Sequence, residues 1–260
     1  MSEEKPILTS KDDKVSWISI NRPSKLNSID PAMLDILAKE LDKAEADIGV
    51  KCIVITGVGD RAFSAGADVS VLSKLSSEEA KTIISVKGHQ TLLKILRSTK
   101  PVIAAINGLA LGGGCELATA CDFRIASDKA RFGQTEINLG LIPGWGATKL
   151  LTRIVGPAKA KEMMMTGCIL SAEEALRIGL VNRIVPADRF QEDIKEFATI
   201  LANGPSIALS EIKKLVNDDI ISTEKLDDEA ESFSKIFTTG DLKEGFSAFF
   251  EKRKPSFKGS

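Results

Sequence analysis

A run of three glycines, Gly112–Gly114, stands directly before the helix-like stretch CELATACD. Backbone N–H groups at a helix start have no intrahelical acceptor and carry partial positive charge. Because glycine lacks a Cβ atom, a ligand oxygen can approach these groups closely. The pattern predicts an oxyanion hole for a developing enolate, in which one donor contributes about 3 kcal/mol. The same helix start is expected to favour the ionised form of Glu116.

Carboxylates are the main titratable groups near this run. Glu116 lies two residues after the glycines, and Glu136 follows twenty residues later. The single histidine, His89, lies in a helical pattern, where a lone histidine is more often a surface or packing residue than a catalyst. A Ser-His-Asp triad or a multi-histidine metal site would have to be built around it. The four cysteines show no CxxC spacing, so we expect chemistry on carboxylates and backbone groups, with no metal.

Two other glycine-rich interpretations fit poorly. The stretch GVGDRA after CIVIT is a loose dinucleotide fingerprint, but an irregular loop follows it instead of a helix, and no acidic residue ends a second strand at the expected distance. A phosphate-binding P-loop would need Lys and Ser or Thr where GLALGGGCE has Cys and Glu. A carboxylate at that place would repel a phosphate.

The elements that must position these residues alternate along the chain. VSWISI, CIVITG and PVIAAINGLA read as strands, the latter two covered on both faces. Helices are predicted after Asp30-Pro31, at about 77–98, from IPGWG to an end at Gly156, and from the capping box Ser171/Glu174. Strands alternate with helices to about residue 187, and the pattern is helical from about 190. This order predicts an α/β core with a helical C-terminal region.

Composition excludes several classes of protein. The chain has 260 residues, 43% of them hydrophobic, which is enough for a large core. Its net charge is −1, from 35 basic and 36 acidic residues, which argues against a dedicated nucleic-acid or membrane-surface protein. We expect no signal peptide and no membrane span, and a cytoplasmic protein with free thiols.

The motifs together resemble the enoyl-CoA hydratase/isomerase (crotonase) family over nearly the full length. The resemblance implies an α/β fold, a crotonase-like spiral of ββα repeats over 1–190, with a C-terminal helical region over 191–260 that serves oligomerisation and completes the CoA site. It also implies a homotrimer or a hexamer built as a dimer of trimers. The matching segments are NRPSKLN, AFSAGAD, KPVIAAINGLALGGGCELATACD, RFGQTEINLGLIPGWGATKLL, TGCILSAEEALRIGLVNRIVP and EKRKPSF.

The resemblance also implies the site. The thioester oxygen of an acyl-CoA would sit between the backbone N–H groups of Ala67 and Gly113. Glu116 and Glu136 match the two glutamates of the family's hydratases, with Glu136 the main base and acid and Glu116 orienting the water. No cofactor is implied beyond the coenzyme A of the substrate. Further matches to substrate or CoA contacts are Lys25, Leu26, Ala65, Asp68, Gly144 and Lys252.

This chain departs from many relatives at three places. Thr135 stands where hydratases often have proline, Ser70 where some relatives carry a lysine near the adenine, and Trp145 where many have alanine. We hypothesise that Trp145 narrows the acyl end and favours short chains; a packing tryptophan is the alternative.

The presence of both glutamates favours an enzyme for the reversible hydration of a 2-enoyl-CoA, which is a hydro-lyase reaction. Crotonyl-CoA or acryloyl-CoA/3-hydroxypropionyl-CoA are the expected substrates. An enoyl-CoA isomerase or another acyl-CoA lyase of the family is the alternative. RNA binding is disfavoured by the net charge and the absence of tyrosine. A structural, non-catalytic role is disfavoured by the intact glutamates and glycines.

Overall fold

The structure, a computed structural model, describes residues 5–217 and 223–259. Within these residues ten strands form a six-stranded sheet in the order β1-β2-β3-β5-β7-β10 and a four-stranded sheet in the order β4-β6-β8-β9. The strands are β1 (Ile7–Asp12), β2 (Val15–Ile20), β3 (Cys52–Gly57), β4 (Ala62–Ser64), β5 (Val102–Ile106), β6 (Leu109–Leu111), β7 (Phe123–Ser127), β8 (Arg131–Gly133), β9 (Ile169–Ser171) and β10 (Arg183–Val185).

Helices fill the connections and the C-terminal part of the chain. No helix of the described part is long and apolar enough to cross a membrane. The helices are α1 (Pro31–Ala46), α2 (Val69–Leu72), α3 (Ser77–Glu79), a π-helix (Ala80–Val86), α4 (Lys87–Arg97), α5 (Gly113–Ala120), α6 (Ala147–Thr166), α7 (Ala172–Arg177), α8 (Phe190–Ala202), α9 (Ser206–Asn217), α10 (Thr223–Ile236) and α11 (Gly240–Glu251), with 3₁₀ turns at Pro23–Lys25 and Glu136–Leu139.

The six-stranded sheet is covered on both faces. Ile53 and Ile55 of β3 belong to the core formed with α1 and α4, whereas Cys52 and Val54 pack in a second core with α8. Both sets are fully buried. This double covering explains why CIVITG reads as a continuous apolar run, as strands do when both faces of a parallel sheet are buried.

Several local predictions are confirmed. The Asp30 side chain caps α1 by accepting the Met33 N–H at 3.0 Å. The capping box of Ser171 and Glu174 is present at the start of α7. After GVGDRA the chain enters strand β4 instead of a helix, so the context of a dinucleotide fingerprint is absent there.

Two boundaries differ from the sequence prediction. The stretch PVIAAINGLA is split into β5 and β6, because the chain turns at Gly108, where a Cβ would lie 2.4 Å from the Arg61 carbonyl oxygen. Gly156 breaks the helical backbone with φ +77°, as expected, but a further helical segment continues from it to Thr166. A glycine at this φ ends one segment, and Pro157 can begin the next because proline is tolerated in a first turn.

The strands of the smaller sheet bring distant residues together. β4, β6 and β8 are parallel neighbours, so their carboxyl ends lie at one edge. Ala67 follows β4, Gly113 follows β6, and Glu136 follows β8. Each of β4, β6 and β8 follows a strand of the larger sheet, namely β3, β5 and β7. This order gives the ββα spiral implied by the resemblance. The topology therefore places all three residues at the same end of the fold.

Candidate active site

The turns after β4 and β6 present two backbone donors side by side. Gly66 has φ +87°, and a Cβ on it would lie 2.8 Å from the Gly113 nitrogen, so the two turns are in contact. Gly113 is the first residue of α5, where the N–H has no acceptor within the helix. Among the described residues, neither the Ala67 N–H nor the Gly113 N–H donates a hydrogen bond. The predicted oxyanion-hole residues are thus adjacent, and their N–H groups are available to a ligand.

Glu136 lies at the start of the 3₁₀ turn after β8 and is half-buried. A Cβ on Gly112, which has φ +53°, would lie 3.1 Å from a carboxylate oxygen of Glu136. Gln134 is fully buried. With its amide NH₂ turned toward Glu136, its side-chain nitrogen lies 3.2 Å from each carboxylate oxygen of Glu136. The glutamate is therefore held beside the glycine run by a neighbour whose role the sequence analysis did not identify.

Glu116 is 2% exposed, and one of its carboxylate oxygens accepts two backbone hydrogen bonds. The donors are the N–H groups of Trp145 at 2.8 Å and Ala147 at 2.9 Å, at the start of α6. Among the described residues, none donates a hydrogen bond to its second oxygen, so a water molecule can contact it. The side chain thus belongs to α5 by sequence, but another helix start, about 30 residues later, fixes its orientation.

Both glutamates have raised pKa values. Burial, followed by the charges of Glu136 and Glu229, raises the pKa of Glu116 well above its ordinary value near 4.5. Burial and the charge of Glu229 raise the pKa of Glu136 to about 7. Loss of water and repulsion between carboxylates outweigh the hydrogen bonds from Trp145 and Ala147, so the net effect favours the protonated form of Glu116. That the helix start of α5 by itself favours the ionised form stays a prediction.

A cavity of about 600 Å³ opens onto both glutamates and both donors. Trp145 closes one side of it, and its indole is 2% exposed. A Cβ on Gly113 would lie 2.6 Å from the indole, and one on Gly88 would lie 2.1 Å from it. The tryptophan thus occupies the space that these two glycines leave open. Gly144, which directly precedes Trp145 in the turn before α6, also lines the cavity.

The predicted CoA-contact residues are divided. Lys25, Leu26, Ala65 and Asp68 line the cavity. Asp68 forms ion pairs with Lys25 at 3.3 Å and Arg22 at 3.1 Å. Burial opposes its ionisation, but hydrogen bonds from Ser70 and Lys25 outweigh burial and lower the pKa of Asp68. This carboxylate therefore organises the loop instead of standing free.

Lys252 lies outside the cavity and is exposed at the end of α11. Its predicted contact with a CoA phosphate, from its own or a neighbouring subunit, stays a prediction. The cavity instead receives three aromatic residues that sequence reasoning missed, Phe233 of α10 and Phe249 and Phe250 of α11. The unusual pair Phe249-Phe250 directly before EKRKP, half exposed despite its size, was the available signal.

Within the described ranges, no group of three or more His, Cys, Asp or Glu side chains is placed to hold a metal ion. The available chemistry is therefore that of two carboxyls with raised pKa values, two backbone donors, and an apolar cavity of a size that suits a small organic ligand.

A ββα spiral whose strand ends converge on such a site is that of a crotonase-type enzyme. The family model described as enoyl-CoA hydratase/isomerase matches residues 10–260, and the chain belongs to this family. It is 40% identical to the crotonyl-CoA hydratase of Syntrophomonas wolfei over 96% of this chain and 97% of that protein. It is 39% identical to the short-chain-enoyl-CoA hydratase of Clostridium acetobutylicum over 95% of each. The crystal structure of an enoyl-CoA hydratase from Bacillus anthracis superposes with a TM-score of 0.80 at 36% identity, covering 98% of this chain and 100% of that one.

Proposed function

We propose that the protein is an enoyl-CoA hydratase, which in reverse is a 3-hydroxyacyl-CoA dehydratase. The observation that carries the proposal is the convergence of the buried Glu116 and the half-buried Glu136 on a cavity with two available backbone donors. Hydration needs a proton to be taken from water and a proton to be given to C2. Two carboxyls with raised pKa values can share one proton near neutral pH, which suits both tasks.

In the proposed reaction the thioester oxygen accepts hydrogen bonds from Ala67 and Gly113. Glu116, with one oxygen held by backbone donors, orients the water through its other oxygen. The water oxygen forms a bond to C3 as its proton passes to Glu136, and the electrons of the C2–C3 double bond move into an enolate. The enolate oxygen is stabilised by the two donors, and a proton returns from Glu136 to C2. Atoms and charge balance without a cofactor beyond the CoA of the substrate.

The substrate is proposed to be a short 2-enoyl-CoA, such as crotonyl-CoA or acryloyl-CoA. Trp145 supports this, because its rigid indole lies against the oxyanion-hole glycine and limits the space beyond the reacting carbons. The names of the relatives, crotonyl-CoA hydratase and short-chain-enoyl-CoA hydratase, agree with a short acyl chain.

The assembly is proposed to be a homotrimer or a dimer of trimers. Large apolar side chains exposed on α9 support contacts with another copy of the chain: Ile207, Ile212, Leu215 and Val216.

Loss of the enoyl-thioester absorbance, followed with acyl-CoAs of increasing length, tests the proposal. Glu116→Gln and Glu136→Gln should each lower kcat by about 100- to 10,000-fold, the range for loss of a general acid or base. Glu45→Gln is a control, since Glu45 lies on α1 and does not line the cavity. Near-normal turnover in either active-site variant would refute the mechanism, and isomerisation of a 3-enoyl-CoA without hydration would favour the family's isomerase reaction.

A further inference from the structure

The first turn of α6 is held by carboxylates from two sides. Trp145 and Ala147 donate their N–H groups to Glu116. The next residue, Thr148, donates its N–H at 3.1 Å to one carboxylate oxygen of Glu229, and its hydroxyl donates to the same oxygen. The backbone donors of one helix start are therefore divided between Glu116 of α5 and Glu229 of α10.

Glu229 is itself fixed by the single histidine of the chain. Its other carboxylate oxygen lies 3.0 Å from the His89 Nε2 atom, and both side chains are almost fully buried, with 1% and 6% exposed. His89 reaches this position from α4, and Glu229 from α10, 140 residues apart in sequence. Both oxygens of Glu229 thus have partners, which leaves its carboxylate little freedom to move.

The placement of Glu229 is costly for a group that only packs. Its charge contributes to the raised pKa values of both Glu116 and Glu136. Taking a carboxylate out of water costs free energy, so a third buried carboxylate close to two others needs a reason other than stability. That reason is available in the hydrogen bond to Thr148, one residue from the donors of Glu116.

The titratable groups near Glu229 are His89 from α4, Glu116 from α5 and Glu136 after β8, with the exposed Asp227 and Asp228 on its own helix. The π-helix also packs on α10, and its Lys81 pairs there with Glu231.

We propose that Glu229, fixed by His89, is a positioning residue of the hydration reaction: it holds the first turn of α6 where Trp145 and Ala147 can donate to Glu116. Because Glu116 then has one defined orientation, its second oxygen meets the water at a constant place. This inference rests on the proposed hydratase activity. Glu229 does not line the cavity, so substrate binding should depend on it little.

The variants Glu229→Met and Glu229→Gln distinguish the effect of the hydrogen-bond acceptor from the effect of side-chain volume. Methionine fills the space but cannot accept from Thr148, so kcat for crotonyl-CoA should fall by about 10- to 100-fold with KM little changed, as for a slightly misplaced catalytic group. Glutamine keeps an acceptor oxygen and should restore most of kcat. Since the negative charge is removed, the acid limb of kcat/KM should move to lower pH in Glu229→Gln.

The histidine gives an independent measurement should Glu229→Met not fold. His89→Leu removes the hydrogen-bond partner of Glu229 and should lower kcat. In His89→Gln the side-chain amide can replace the imidazole Nε2 as that partner, so kcat should be restored. Glu45→Met is the matched control, because Glu45 likewise accepts from the N–H and hydroxyl of a threonine, Thr99, far from the cavity.

The outcomes distinguish this inference from the proposed function. A fall in kcat that glutamine reverses in both positions, with Glu45→Met active, supports the positioning role. An unchanged kcat in Glu229→Met and His89→Leu, or a fall equal to that of Glu45→Met, overturns it. Absence of hydration by the wild-type protein with any acyl-CoA would instead overturn the proposed hydratase function.

Discussion

Replacing Trp145 by alanine should broaden the acyl-chain selectivity of the protein. The indole is 2% exposed and lies between positions 88 and 113, both glycine, where a Cβ would come within 2.1 and 2.6 Å of it. No smaller side chain reaches both α4, which carries Gly88, and α5, which carries Gly113. The alanine variant should therefore have a larger cavity on the side of Gly113. If longer acyl chains enter that space, each added methylene that becomes buried contributes about 0.8 kcal/mol.

That free energy is about a fourfold gain in kcat/KM per methylene, since 1.36 kcal/mol corresponds to tenfold in rate. For 2-hexenoyl-CoA against crotonyl-CoA, with two more methylenes, the ratio of kcat/KM should rise by up to about 16-fold over the wild-type ratio. The variant should also be less stable, by about 3–5 kcal/mol, the usual cost of removing a buried tryptophan side chain. Ratios of kcat/KM within one variant are independent of the fraction of protein that is folded.

The assay is hydration of a series of 2-enoyl-CoAs by wild type, Trp145→Ala and Trp17→Ala. Trp17 is the only other tryptophan of the chain, and it packs on the α8 side of the large sheet, away from the cavity. Its loss should lower stability without changing the selectivity ratios. An unchanged selectivity in Trp145→Ala would refute the idea that the indole limits acyl length and leave it a packing residue.

Further predictions concern the oxyanion hole and pH. Gly66→Ala should lower kcat by about 100-fold or more, because its Cβ would displace the Gly113 N–H, and loss of one such donor has that cost. Gly179→Ala is the control, since Gly179 has a similar φ of +78° but no atom within 4 Å of the added Cβ; it should lower stability without lowering kcat. The kcat/KM for hydration should fall as pH drops below about 7, where Glu136 is protonated and the pair loses its base; a flat profile from pH 5 to 8 would contradict this. Because the folded-state pKa of Glu136 is raised from 4.5 to about 7, the native state binds more protons in that interval and loses stability as pH rises through it, so Glu136→Gln should melt at a higher temperature than wild type at pH 8.

Residues whose role depends on neighbours in sequence were predictable. Asp30 caps the helix that begins beside it, and of the three glycines Gly112 is the N-cap of α5 while Gly113 and Gly114 are its first residues. Capping and left-handed backbone conformations are decided within a few residues, so composition at those positions is informative. The resemblance to known motifs added the matching positions Ala67 and Glu136, which no local rule identifies.

Residues whose role depends on distant elements were not predictable in this way. Glu116 was expected to respond to its own helix, but the donors that bind it come from the start of α6. His89 was expected to pack or lie at the surface, and nothing in its own segment indicates Glu229, 140 residues away. The aromatic residues of α10 and α11 likewise enter the cavity only because the chain returns to it.

The sequence by itself determined the alternation of strands and helices, the glycine turns that free two backbone N–H groups, and the presence of two glutamates near them. Tertiary structure decided how these groups act together. Parallel strands β4, β6 and β8 bring three separate turns to one edge, and α6 and α11 pack against the turn that carries Glu136. Burial removes water from Glu116 and Glu136, and α10 brings the charge of Glu229 close to them; pKa values depend on desolvation and nearby charge, not on the order of residues along the chain.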